Sequence, residues 1–288
     1  MNSKFFYLFF VLISTTIYSQ PVKKFLLLNS KDSTRVPYAT IKILNTDIGT
    51  FTNETGEFEL MKTSDTALIT SIGFNEKKIV LSSLSSDIIF IEPRFYQLPE
   101  VIIKKKELTG VETLGIQKAK EDFLWGPSGS GEEFAQRINI LSPPGEMVKI
   151  KKISLPAQNF DVGFPVVLHI YSENETTHLP DKELLQQNYI VTKKDFHGKK
   201  IVVNLENEKV WISEKYIFIS FQWLSSPSFT SAARASGTLL YMTNSLMEEQ
   251  TYSRRLSSKK YEWIPAPKIR DKFKPSNTMF SVEIERYR

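Results

Sequence analysis

The chain has 288 residues, of which 41% are apolar and 24% are charged, and its formal net charge is +5. This is the balance of a globular protein, and it excludes disorder throughout the chain. Cysteine is absent, which excludes disulfides, zinc–thiolate sites, cysteine nucleophiles and lipid attachment to an N-terminal cysteine. The lysine and arginine pairs are spread along the sequence, which indicates a solvated surface and no nucleic-acid partner.

The first predicted element is a signal peptide in residues 1–20. Lys4 precedes an apolar run from Phe5 to Ile13, and a short polar stretch ends at Gln20. This order is typical of a secretory leader. The strictly apolar run is about nine residues, too short to span ~30 Å of hydrocarbon as a helix, although an uncleaved anchor is the alternative. We therefore expect an exported protein, in the periplasm or associated with the outer membrane or cell surface, with no membrane-spanning segment after cleavage.

Residues 21–103 form a string of predicted short strands. In the second of these strands Ala39, Ile41 and Ile43 alternate with polar neighbours, the period of a strand with one buried face. Gly73 marks a bend and Pro93 a stop. Strands are predicted at residues 24–30, 36–44, 66–74, 76–81, 87–93 and 100–106. Their spacing favours a small β-sandwich.

The stretch "GTFTNETGEFEL", residues 49–60, is polar enough to suggest a calcium loop. With Gly56 at position 6 of an EF-hand loop, however, position 1 is Phe51 and position 12 is Lys62. Neither end supplies a calcium ligand. The stretch is better interpreted as a β-hairpin that turns at residues 53–56, with Gly56 as the residue that needs a positive φ.

The next segment, residues 104–135, is predicted to be a linker with a short helical turn near residues 117–123. Its "GPSGSGEE" patch indicates a flexible connection. Residues 136–288 return to strand patterns and predict a second β-sandwich domain, with residues 179–188 as a loop that holds one helical turn. Strands are predicted at residues 137–141, 148–155, 164–172, 199–205, 215–224, 237–242 and 279–287.

A proline before the strand "VPYATIKIL" is followed in order by "GTFTNETGEFEL", "DTALITSIGF" and "LPEVIIKKK". This order resembles the carboxypeptidase-regulatory-like domain, a transthyretin-like β-sandwich found in secreted and outer-membrane proteins of Bacteroidetes-type bacteria. The glycine that usually opens the first strand of that family is absent. Residues 136–288 are similar to a jelly-roll-like sandwich of unassigned activity. The resemblance implies an all-β chain of two sandwiches, and it implies no peptidase activity.

The histidines do not form a recognisable metal motif. His169 lies in a predicted strand, whereas His178 and His197 lie in loops, without the helical spacing of H-E-x-x-H. Glu173 and Glu175 could join His178 as ligands, but a solvated polar loop is the favoured interpretation. We therefore expect no metal, no cofactor and no catalytic residue.

Two further patterns also lack chemistry. "GPSGSGEE" has neither the Lys-Ser/Thr of a phosphate loop nor the final glycine of G-x-S-x-G. In the glutamate pairs at residues 132–133 and 248–249, adjacent side chains point apart, so neither pair forms an acid/base pair by itself. Both pairs are interpreted as surface charge.

Aromatic residues are dense in the second half of the chain, where core packing is their usual role. Trp263 and Tyr261, flanked by charged residues and prolines, are the candidates for ligand-binding rings. The leading hypothesis is a non-catalytic secreted envelope protein that binds or scaffolds an envelope protein or glycan. The alternatives are a carbohydrate-binding module, or a hydrolase of envelope glycans or peptides with dispersed residues around His178 or His197.

Overall fold

A computed structural model describes residues 22–61, 65–94, 107–127, 131–141, 145–159, 165–224, 238–246, 248, 250–268 and 274–288. The predicted signal peptide and the predicted strand at residues 100–106 lie outside these ranges. The prediction of an all-β chain is confirmed. The strands are β1 (Val22–Asn29), β2 (Thr40–Ile43), β3 (Gly49–Phe51), β4 (Glu57–Met61), β5 (Thr66–Thr70), β6 (Lys77–Val80), β7 (Ile88–Ile91), β8 (Leu108–Gly115), β9 (Phe123–Trp125), β10 (Glu133–Asn139), β11 (Met147–Gln158), β12 (Val166–Glu173), β13 (Pro180–Glu183), β14 (Tyr189–Val191), β15 (Lys200–Asn204), β16 (Trp211–Ile212), β17 (Tyr216–Trp223), β18 (Leu239–Thr243), β19 (Thr251–Arg254), β20 (Ile264–Pro265), β21 (Asn277–Thr278) and β22 (Ser281–Tyr287). Short 3-10 turns occur at Leu81–Ser83, Lys193–Asp195 and Glu206–Glu208.

Strands β1–β7 form the N-terminal sandwich. A three-stranded sheet, β4-β1-β7, faces a four-stranded sheet, β3-β2-β5-β6. Alternate residues of β5 and β7 are buried. The prediction of a single buried face for the strand that contains Ile41 and Ile43 is wrong, because all four residues of β2 are buried, including Thr40 and Lys42. The core between the two sheets consists of apolar side chains from both: Phe25, Leu27, Ile41, Ile43, Phe58, Leu60, Ala67, Ile69, Ile89 and Ile91.

The turn predicted at residues 53–56 is present, but the hairpin prediction is wrong. Gly56 has φ +72°, and the Asn53 side-chain oxygen accepts hydrogen bonds from the backbone N–H groups of Thr55 and Glu57, each at 2.9 Å. Strand β3 pairs with β2 and strand β4 pairs with β1. The turn therefore carries the chain from one sheet of the sandwich to the other.

Two contacts explain why β3 and β4 separate. Phe58 of β4 stacks on Phe25 of β1 at 5.3 Å between ring centroids, which holds β4 against the three-stranded sheet. The buried Thr52 hydroxyl donates to the Val36 carbonyl and accepts from the Ala39 N–H, both at 2.8 Å. These bonds fix the end of β3 beside β2, and neither partner is close to the turn in the sequence.

Strands β8–β22 form the C-terminal sandwich. Its seven-stranded sheet has the order β13-β12-β17-β10-β19-β20, with β14 paired to β12. Its eight-stranded sheet has the order β21-β18-β11-β22-β8, with β15 and β16 paired to β11 and β9 paired to β18. Apolar side chains from both sheets fill the space between them, including Phe134, Ile219, Phe221, Ile150, Ile153, Phe280 and Val282.

The predicted linker is wrong for its described part. Strand β8 pairs with β22 from Leu108 to Gly115, and β9 pairs with β18, so this segment belongs to the C-terminal sandwich. Residues 116–122 contain no helical turn. Strand β8 is an edge strand and most of its side chains are exposed, which is why its sequence lacks a clear apolar alternation.

The prediction of a loop with one helical turn at residues 179–188 is also wrong, because these residues hold strand β13 and no helical turn. In strand β17 all residues from Ile217 to Trp223 are buried. One face of β17 packs into the core, and other elements of the structure cover the opposite face.

The N-terminal sandwich contacts the C-terminal sandwich through strands β2 and β3, which lie against Leu256 just after β19. Lys42 is 1% exposed, and its ammonium group donates to the carbonyls of Leu256 at 2.6 Å and Thr46 at 2.7 Å. Burial lowers the pKa of Lys42, which the charge of Asp47 partly offsets. At Gly49 an added Cβ would lie 2.2 Å from Leu256 Cγ, so this close approach requires glycine.

None of the helical segments in the described ranges is long and apolar enough to cross a membrane.

Candidate functional site

Strand register gathers polar side chains on the outer face of the seven-stranded sheet. His169 of β12 lies opposite Ser220 of β17, while Glu133 of β10 lies between Gln222 of β17 and Arg254 of β19. Because side chains alternate between the faces of a strand, these five point away from the core of the C-terminal sandwich. Four neighbouring strands therefore place a polar cluster on a surface that is itself buried.

Glu133 is the centre of this polar cluster. Its carboxylate is fully buried and accepts hydrogen bonds from Arg254 Nε at 2.7 Å, from the Tyr171 hydroxyl at 2.9 Å and from the Ser220 hydroxyl. Burial alone would raise the pKa of Glu133, but the charges of Arg254 and His169 and the Ser220 hydroxyl outweigh it and leave the pKa below its usual range. The carboxylate is consequently ionised at neutral pH and bound to its neighbours.

His169 forms the second charged contact of the cluster. Its Nδ1 lies 2.7 Å from Glu183 Oε2 and its Nε2 lies 3.4 Å from Gln222 Oε1, and its ring stacks on Tyr171 at 5.4 Å between centroids. Burial lowers the pKa of His169, but the negative charges of Glu133 and Glu183 outweigh it, so that the pKa is raised overall. The histidine is held by a carboxylate on one side and an amide on the other.

The two rings proposed from the sequence lie at the edge of this cluster. The Arg254 guanidinium is 4.9 Å from the Tyr261 ring centroid and 4.3 Å from that of Trp263, and Trp263 packs edge-on against Tyr171 at 5.9 Å. Both rings are half-buried. Trp263 covers the guanidinium, while Tyr261 lines the cavity described next.

A cavity of about 500 Å³, the central cavity, separates the polar cluster from the N-terminal sandwich. One wall contains His169, Tyr171, Gln222 and Arg254, and the opposite wall contains Tyr38, Thr40, Thr70, Ser71, Ile72 and Phe74. The side of the cavity is closed by contacts between the sandwiches: Arg94 Nη2 donates to the Glu183 carbonyl at 2.8 Å, and Asn188 Nδ2 donates to the Pro37 carbonyl at 3.1 Å.

Two polar atoms in these walls lack hydrogen-bond partners among the described residues: Gln222 Nε2 and Ser71 Oγ. Gln222 is 2% exposed and belongs to the C-terminal sandwich, whereas Ser71 belongs to the N-terminal one. The Tyr261 hydroxyl is near Gln222 but outside ordinary hydrogen-bond geometry. Buried polar groups are almost always satisfied by protein groups, ordered water or a ligand, so an unpartnered atom on each wall makes the central cavity the candidate site.

The other residues considered from the sequence lie apart from the polar cluster or have other roles. His178 is exposed, with Nδ1 3.2 Å from Glu173, and Glu173 is also bonded to Arg137. His197 follows the 3-10 turn Lys193–Asp195. Within the ranges that the structure covers, no three His, Asp or Glu side chains are grouped so as to hold a metal ion.

The surface-charge interpretation of residues 132–133 is wrong. Both glutamates are fully buried, and Glu132 accepts a hydrogen bond from Arg255 Nε at 2.9 Å. The doublet "EE" in β10 and its neighbour meets the doublet "RR" at the end of β19, so each acid has its own arginine. In the sequence, the two adjacent glutamates and the two adjacent arginines are the pattern from which the polar cluster could have been predicted.

A larger depression of about 790 Å³ lies beside β8 and is lined by residues such as Gln117, Lys118, Arg137 and Tyr216. Its most buried cation, Arg137, is bonded to Glu173 at 2.6 Å and stacks on Tyr216 at 3.6 Å. No polar side-chain atom without a partner lies in its described lining. The central cavity is therefore the better candidate site.

Comparison with known proteins identifies no family. No family model and no curated protein matches the chain. One solved structure, the cysteine protease and lectin-like domains of Cwp84, a surface layer associated protein of Clostridium difficile, aligns with 91% of this chain at 9% identity and a TM-score of 0.35. The infectious bursal disease virus VP2 subviral particle aligns with 92% of this chain at 9% identity and a TM-score of 0.26. The chain spans 62% and 63% of those two chains. Similarity this weak supports no conclusion about function.

Proposed function

We propose that the protein is a non-catalytic binding module whose ligand occupies the central cavity. The observation that carries this proposal is the pair of unpartnered polar atoms, Gln222 Nε2 and Ser71 Oγ, on opposite walls of one cavity. A ligand that satisfies both atoms would bridge the two sandwiches. The volume of about 500 Å³ is within the usual range of small-molecule sites, roughly 300–1,000 Å³.

The bonding of the charged groups supports binding over hydrolysis. A hydrolase needs an accessible nucleophile or a water activated by a free base. Ser220 is fully buried and donates its hydroxyl to Glu133, whose other oxygen is bonded to Arg254. His169 contacts Glu183 through one ring nitrogen and Gln222 through the other. The serine, glutamate and histidine side chains that could take part in catalysis are thus hydrogen-bonded to other protein side chains.

We also propose that the protein is exported to the cell envelope and that residues 21–103 belong to the carboxypeptidase-regulatory-like domains. The predicted leader in residues 1–20 supports the first proposal. The second is supported by the order of motifs in the sequence, together with the two packed sheets of the N-terminal sandwich. Mass spectrometry of the protein recovered from a periplasmic fraction tests export, with a mature N-terminus near Gln20 as the expected result.

A retention experiment tests the binding proposal. The purified protein is equilibrated with the small-molecule fraction of a bacterial envelope extract and separated from unbound material by size exclusion, and retained molecules are identified by mass spectrometry. We expect a small molecule to be retained with its mass unchanged. Ser71→Trp, which fills the central cavity, should abolish retention, whereas Ser82→Trp at an exposed position should not.

Two results would contradict the proposal. If the wild-type protein retains nothing, the central cavity is not a binding site. If the molecule is released with a changed mass, the protein is an enzyme.

A further inference from the structure

We infer that the ligand of the central cavity is a neutral, polyhydroxylated molecule of mono- or disaccharide size. This inference rests on the proposed binding function and adds the chemical class of the ligand. Three independent properties of the cavity walls carry it: balanced charge, unpartnered neutral polar atoms, and aromatic rings.

The charges around the central cavity balance one another. Arg254 is bonded to Glu133 at 2.7 Å and His169 to Glu183 at 2.7 Å. An ionic ligand would have to compete with these existing pairs, and displacing one partner of a buried pair costs more than the new contact returns. With His169 protonated, the cavity is lined by four basic groups, Arg94, Lys182, Arg254 and His169, and three acidic groups, Glu76, Asp181 and Glu183. The buried carboxylate of Glu133, which does not line the cavity but is bonded to Arg254, offsets the remaining charge.

The atoms that remain for a ligand are neutral. Gln222 Oε1 faces His169 Nε2, so the amide nitrogen, a donor only, lies on the other side of the amide, near the Tyr261 ring that lines the cavity. Ser71 Oγ can donate or accept. A hydroxyl group of the ligand can bond both atoms, because its oxygen accepts a hydrogen bond from the amide nitrogen and the same group can donate to or accept from the serine hydroxyl.

The remaining wall is aromatic. The rings of Tyr38, Phe74, Tyr171 and Tyr261 line the cavity, and Tyr171 is part of a stack with His169. Aromatic rings offer flat apolar surfaces, against which the C–H faces of a sugar ring pack while its hydroxyls reach the polar atoms at the edges. Burial raises the pKa of the Tyr171 hydroxyl, which therefore stays protonated and remains a donor to Glu133.

The test uses titration calorimetry with three sets of probes on the purified protein. The neutral set is cellobiose, maltose and N,N′-diacetylchitobiose. The anionic set contains the corresponding uronic acid disaccharides, and the cationic probe is chitobiose, which differs from its diacetyl form by two charged amines. We expect at least one neutral disaccharide to bind, and its charged counterpart to bind at least about tenfold more weakly.

Gln222→Leu separates a binding role from a structural one. Removal of one ligand hydrogen bond should weaken binding of the neutral probe by about tenfold. The same change also removes the acceptor that faces His169 Nε2, so the thermal unfolding midpoint of the ligand-free variant should fall, and binding is compared at a temperature at which both proteins are folded. The control Gln158→Leu, at an exposed position, should alter neither property.

The outcomes distinguish this inference from the proposed function. Binding of only the charged probes, or no binding of any neutral saccharide, overturns the inference about ligand class. If the retention experiment still captures a small molecule in either case, the binding function stands with a different ligand. If Gln222→Leu binds the neutral probe as tightly as the wild type, the ligand does not use the unpartnered amide and the inference is wrong.

Discussion

Replacement of Arg254 by methionine should strongly destabilise the C-terminal sandwich. The change leaves Glu133, whose carboxylate is fully buried, without the cation that lies 2.7 Å away. Removing one partner of a buried ion pair costs roughly 3–5 kcal/mol. The hydroxyls of Tyr171 and Ser220 still donate to the carboxylate, so we expect about 3 kcal/mol, near the lower end. With a denaturant slope of about 2 kcal/mol per M urea, the unfolding midpoint should fall by about 1.5 M.

Tryptophan fluorescence is a suitable assay because all four tryptophans lie in the C-terminal sandwich: Trp125, Trp211, Trp223 and Trp263. The control Lys152→Met breaks a partly exposed pair with Glu283, also in the C-terminal sandwich, with the charges 3.1 Å apart, and should cost less than about 1 kcal/mol. The double variant Glu133→Gln/Arg254→Met removes both charges, and it should be more stable than Arg254→Met alone.

The pH dependence gives a second readout of the Arg254→Met effect. In the wild type the pKa of Glu133 is depressed, so its stabilisation is present above the usual glutamate range near 4.5 and is lost as the pH falls through the lower folded value. In Arg254→Met, burial should instead raise this pKa, and protonation then relieves the uncompensated charge. The difference between the variant and the wild type should therefore shrink as the pH is lowered from 7 toward 5. If Arg254→Met lowered the unfolding midpoint no more than Lys152→Met, or if the effects of the two changes in the double variant were additive, the polar cluster would not be held together by this pair.

Three further predictions concern the contact between the sandwiches and the histidine. Gly49→Ala places a Cβ 2.2 Å from Leu256 Cγ and should cost about 1–3 kcal/mol in thermal unfolding, while Gly110→Ala, with no atom within 4 Å, should be neutral or nearly so. Lys42→Met leaves the Leu256 carbonyl without its hydrogen-bond donor and should cost about 1–3 kcal/mol of stability. Limited proteolysis should then cut between the two sandwiches faster than in the wild type. An unchanged digestion rate would refute a role of Lys42 in the contact between the sandwiches. The pKa of His169 is raised on folding, so the stabilisation by its charged form is present below the usual histidine value of 6.5 and is lost as the pH rises through the folded value. The urea midpoint of the wild type should therefore fall above pH 6.5, and this fall should be smaller in His169→Gln. An unchanged slope would contradict this prediction.

Sequence patterns predicted the local structure of the N-terminal sandwich well. The turn at residues 53–56 and the positive φ of Gly56 depend on contacts within a few residues, and both are present in the structure. The partners of β3 and β4 were not predictable from the turn between them. The Phe25–Phe58 stack and the Thr52 hydrogen bonds connect residues that are distant in the sequence.

The central cavity could not be predicted because alternation indicates which face of a strand points away from the core but not what covers that face. Ser220 and Gln222 alternate with apolar residues along β17, a pattern that does not indicate whether their face is covered, and the structure buries both. Glu133 was interpreted as surface charge because it is adjacent to Glu132, and the structure buries it as well. The two glutamates "EE" and the two arginines "RR" are visible in the sequence, but only the strand register places Glu133 directly beside Arg254.

A crystal structure of the protein with a bound neutral disaccharide tests the central claim most directly. We predict that the sugar lies in the central cavity, with ring oxygens or hydroxyls within hydrogen-bond distance of both Gln222 Nε2 and Ser71 Oγ, and with one sugar face on the tyrosine rings. A sugar bound elsewhere, such as on the exposed side of Trp263 with the central cavity holding only water, would contradict the account.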